Sequence, residues 1–134
     1  MSEKEQNEEQ PAAKCVLNSI SILVRLDQNN VPESLKERLS YSYDDLPGGT
    51  TREVYKDKET GDTYVSGNLP TTPFVTTYRI VTTKTGEYKM LSYNGASGYQ
   101  GSDYFLNGIE ADVYDFFRSL EQQIPLPKPN NKIN

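Results

Sequence analysis

The chain has no histidine, no tryptophan and a single cysteine, Cys15. Without histidine there is no Ser-His-Asp or Cys-His arrangement, no imidazole acting as general acid or base, and no His-ligated metal. One cysteine cannot close an internal disulfide or anchor a zinc site alone. Cys15 therefore reads as a small, half-buried residue at a strand start. No apolar run approaches the roughly 18 residues of a membrane span, and "EEQPAAK" before Cys15 is not the apolar segment a lipoprotein signal needs. A Walker phosphate loop is missing too. Gly95, Gly98 and Gly101 are evenly spaced, which is not the fingerprint of a dinucleotide site. Nor is there a basic stripe for a nucleic-acid backbone. These absences lead us to expect no cofactor, no bound metal, no nucleic-acid or membrane partner, and a cytoplasmic protein.

The fragments that resemble chemistry are weak. "KTG" at 84–86 occurs in serine β-lactamases, but the Ser-x-x-Lys that accompanies it is missing. A hairpin turn pivoting on Gly86 explains it better. Asp57, Glu59 and Asp62 cluster without EF-hand spacing, and a charged hairpin tip is usually solvated. Pro125, Pro127 and Pro129 are spaced by two, whereas a PxxP ligand needs three.

Hydrophobic content is also low, at 34%, with a mean hydropathy of −0.74. The ends carry much of that polarity. Residues 1–14 hold Glu3, Glu5, Glu8 and Glu9, and residues 125–134 are Pro/Asn/Lys-rich. Neither end buries enough to offset its ordering entropy, so both read as tails, the first acidic and disordered. Of the net charge of −5, the first ten residues carry −3 and the remaining 124 carry −2. The body, 15–124, reads as one domain.

Within that body "CVLNSISILVRL", 15–26, alternates and reads as a half-buried strand, with Val16, Ile20, Ile22, Val24 and Leu26 on one face and Asn18 the polar intruder. A short helix follows near 32–39, with Asn30 as its cap and Pro32 in its first turn. Leu39, Tyr41 and Tyr43 then alternate in the manner of a strand, and 44–51 reads as a loop. Residues 52–67 and 74–93 read as hairpins turning on Gly61 and Gly86. Residues 94–108 read as a long loop. Residues 109–124 read as a helix, capped by Asn107 or Gly108 and stopped by Pro125. The fold class is α+β: a curved antiparallel sheet of about five strands and two hairpins, packed against a long C-terminal helix.

The richest stretch is "YNGASGYQGSDY", 93–104. Glycine frees the backbone, and tyrosine brings a flat face with a polar tip at low entropic cost. This palette, joined to the missing catalytic inventory, points to a non-enzymatic protein-binding module of the adaptor, inhibitor or immunity type. Its contact surface would hold Tyr93, Tyr99, Asp103 and Tyr104 with Tyr41, Tyr43, Asp44 and Asp45. One alternative is a small-ligand protein with a pocket between sheet and helix, lined by Asn18. A second is a histidine-free enzyme using carboxylates. The partner is expected to be another protein, with room left for a small ligand or an oligomer.

Overall fold

The computed structural model describes residues 14–70, 74–95 and 100–128. The N-terminal tail, apart from Lys14, and the last residues of the C-terminal tail lie outside them. The elements run α1 (Ile20–Arg25), a 3-10 turn at Glu33–Leu35, β1 (Leu39–Leu46), a second 3-10 turn at Pro47–Gly49, β2 (Thr50–Asp57), β3 (Thr63–Pro70), β4 (Phe74–Thr83), β5 (Gly86–Gly95), β6 (Gln100–Leu106), β7 (Ile109–Ala111) and α2 (Val113–Gln122). The seven strands form one antiparallel sheet in strict sequence order, β1 to β7. The class is the expected α+β, with more strands than the expected five.

Register builds the core. Tyr41, Tyr55, Tyr64, Val81, Tyr88 and Leu106 are mutually opposed across β1 to β6, so they share one face. Both helices cover this face. The Tyr64 hydroxyl donates to the Leu23 carbonyl of α1 at 2.9 Å. The Phe116 ring of α2 meets Tyr104 at 5.0 Å and Tyr88 at 6.2 Å. Buried tyrosines bring large area to the core while each hydroxyl still needs a partner. The opposite, open face carries Val54, Val65, Ile80, Leu91 and Phe105, all half-buried.

The hairpins turn where glycine and Asx chemistry place them. Asp57 Oδ1 accepts from the Glu59 and Thr60 amides, and Gly61 takes φ 82°. At the β6–β7 turn Asn107 (φ 52°) and Gly108 (φ 83°) form an Asn-Gly hairpin. Asn107 also holds the chain end, donating to the Pro127 carbonyl at 2.8 Å.

Five expectations are corrected. Residues 15–26 are not a strand: Ser19 caps α1, and Leu17, Leu23 and Leu26 are the buried residues. The alternating set includes Ile20 and Val24, which are exposed. Packing of Leu23 over the sheet overrides the β propensity of this β-branched run. The loop at 44–51 is mostly strand, since β1 runs to Leu46 and β2 starts at Thr50. The loop at 94–108 contains β6, and α2 starts at Val113 with Asp112 as its cap, because 109–111 pair as β7. The 32–39 helix is a single 3-10 turn.

Candidate functional site

β1 is an edge strand, and its hydrogen-bond phase follows from one bond beyond its start. The Lys58 amide donates to the Arg38 carbonyl at 2.9 Å, and residues 38 and 58 continue the β1–β2 register in which Leu39 opposes Asp57. Antiparallel ladders alternate bonded and non-bonded pairs. The even residues of β1 therefore bond to β2. The N–H and C=O groups of Leu39, Tyr41, Tyr43 and Asp45 point away from the sheet. The Asp57 amide donates to the Asp62 carbonyl at 2.8 Å, which gives β2 the complementary phase.

The odd side chains of β1 lie on the helix-bearing face. The Tyr41 ring packs on Tyr55 at 5.0 Å and is 37% exposed, and Tyr43 is 50% exposed. The Tyr43 hydroxyl donates to Asp45 at 3.1 Å, and this bond, ahead of burial, raises its pKa. Burial, then Glu53, raises that of Tyr41. Beside them a groove of about 530 Å³ is lined by Gln28, Asn29, Val31, Lys36, Leu39, Tyr41 and Tyr55. An edge strand next to a partly apolar groove can receive an extended chain, with main-chain bonds for affinity and side-chain contacts for choice.

The structure divides the residues singled out in the sequence. Tyr41, Tyr43 and Asp45 stand together on β1. Asp44 faces the open side and pairs with Arg52 at 2.8 Å. Tyr93 also faces that side, donating to Asp103 across β5 and β6 at 2.8 Å. Tyr104 turns the other way, against Phe116 and Phe117. Tyr99 lies outside the described residues. Asn18 donates to the Glu121 carbonyl at 3.0 Å, tying the segment before α1 to α2.

Sequence reasoning missed a second surface. Ile20, Val113 and Tyr114 are exposed by 44, 48 and 71%. With Phe117, Arg118, Glu121 and Gln122 they line a shallow groove of about 480 Å³ between the helices. Reading 15–26 as a strand placed Ile20 in the core and hid it.

The buried polar groups hold the fold. Asp57 is fully buried, and its two oxygens accept from Arg38 Nε at 2.9 and 3.0 Å. Burial pushes its pKa up, but Arg38 and the Glu59 and Thr60 amides outweigh that and hold it below the usual carboxylate value. Burial, then the Asp62 carboxylate, pushes the Cys15 thiol up to about 12. Among the described residues no His, Cys, Asp and Glu side chains gather as a metal site, and no helix is long and apolar enough to cross a membrane.

No known protein family, curated protein or solved structure matches this chain.

Proposed function

We propose that this chain is a small non-enzymatic protein-binding module, of the adaptor, inhibitor or immunity type, which takes an extended segment of its partner along β1. One observation carries the reading: the outward phase of Leu39, Tyr41, Tyr43 and Asp45 beside two exposed tyrosines. Exposed edge strands are usually blunted by proline, lysine, a bulge or short length. β7 has only three residues. β1 has eight, with an unbroken register and neither proline nor lysine. Tyr41 and Tyr43 supply the rigid aromatic contacts that dominate interface energies. A single cysteine, with no disulfide to form, fits a reducing cytoplasm.

Tyr43→Pro tests this reading. Proline removes an outward N–H that the folded chain does not use, and edge strands tolerate it. The tagged variant should melt within a few degrees of the parent yet lose proteins that the parent retains from its source lysate. Equal retention by both would overturn the proposal.

A further inference from the structure

We infer that the strand received by β1 is β1 of a second copy, paired antiparallel about a two-fold axis at Ser42. This rests on the strand-addition reading and names its partner. When a two-fold axis runs through the sheet, a residue pairs with one on the same face, so the register can move only in steps of two. Centring on Ser42 pairs Tyr41 with Tyr43 of the second copy and Leu39 with its Asp45. Those four residues are the ones whose backbone groups face outward, and this register uses all of them. Centring on Tyr41 carries Asp45 beyond the start of the other strand. Centring on Tyr43 sets Leu39 against Pro47, which has no N–H.

Side chains agree with the backbone. The local sequence "YSY", 41–43, is a palindrome, as an isologous contact favours. No aspartate opposes an aspartate. Asp44 meets Ser40 of the second copy, whose neighbour on β2 is Lys56, an exposed cation on the same face. The exposed Tyr43 side chains come to lie beside Tyr41 of the other copy, extending the Tyr41–Tyr55 ring contact across the junction.

Ser42 itself falls on the axis as a non-bonded pair. Its Cα would stand about 4.5 Å from its counterpart, within the range that a disulfide spans. The test is Ser42→Cys in a full-length chain carrying Cys15→Ser, with Ser40→Cys in the same background as control. In this register two residues at position 40 are separated by roughly 13 Å along the strands and cannot bridge. Native mass spectrometry of the unmodified chain at about 50 μM should show twice the 15.2 kDa chain mass. Mild oxidation should link Ser42→Cys at least ten-fold faster than Ser40→Cys.

A monomer at that concentration with no linkage overturns the inference, as does a dimer in which the two variants link alike. If the inference fails while Tyr43→Pro still loses a different protein, strand addition stands and only self-pairing falls. If the proline variant loses nothing and the chain is a monomer, both fall.

Discussion

Asp57 shows how one carboxylate can anchor several pieces of chain. It is fully buried, grips Arg38 through both oxygens and closes the β2–β3 turn through two amides. Arg38 in turn donates to the Lys14 carbonyl at 2.7 Å, so the N-terminal segment hangs on the same pair. Removing one member of a buried pair strands the other charge. Asp57→Ala should cost about 3 kcal/mol, read from urea unfolding. The folded pKa of Asp57 lies below its unfolded value. Its contribution is therefore complete above about pH 4 and is lost as pH falls through the folded pKa. The parent should lose stability more steeply than the variant below pH 4; parallel curves would remove Asp57 from this role. Cys15 offers a second check at this scale. A thiol raised to about 12 has almost no thiolate at neutral pH. Labelling by a maleimide at pH 7 should be far slower than for a free thiol, and rapid labelling would contradict the burial described.

At the scale of elements, most strands were legible and the helices less so. The turns at Gly61 and Gly86 carried their own signal, and the hairpins formed where those residues allowed. Asn107–Gly108 carried an equally strong one and was read as a helix cap, because the apolar stripe of α2 extends back through Ile109. Periodicity could not separate the strand at 109–111 from the first turn of α2. Residues 15–26 failed for a similar reason: alternation at 20, 22, 24 and 26 competes with a step of three at 17, 20, 23 and 26. Only contact with the sheet decides between them. The contact surface was partly legible. Tyr41 and Tyr43 were named, but the edge that gives them meaning depends on strand order, and sequence does not print strand order. Gly67 shows another hidden constraint. A Cβ there would meet the Thr51 carbonyl oxygen at 2.6 Å and the Tyr78 hydroxyl at 2.6 Å. Tyr78 can swing aside; the backbone oxygen cannot. Gly67→Ala should cost about 2 kcal/mol in thermal or urea unfolding, and a neutral result would show that β2 and β3 can separate there.

Across the whole molecule, the two ends of the sheet face differ. The row Tyr55, Tyr64, Val81 and Tyr88 lies beneath the helices and is almost wholly buried. Two rows further along the strands, the opposed residues are Asn68, Thr77, Ser92 and Ser102, which are half-buried or exposed. The covered end is also where both ends of the described chain are fastened. Leu17 is fully buried, the Leu126 amide donates to the Thr85 carbonyl, and Asn107 holds Pro127. A meander pairs each strand with its sequence neighbour, so the polar end can open without breaking a long-range connection. Hydrogen exchange should therefore grade along the strands rather than across them. The amides of Tyr64, Val81 and Tyr88 should exchange only through global unfolding, whereas those of Thr77 and Ser92 should exchange by smaller openings and stay largely insensitive to mild denaturant. If Thr77 and Ser92 match Val81 in both rate and denaturant dependence, the sheet opens as one unit. Helix packing would then not be what sets its local stability.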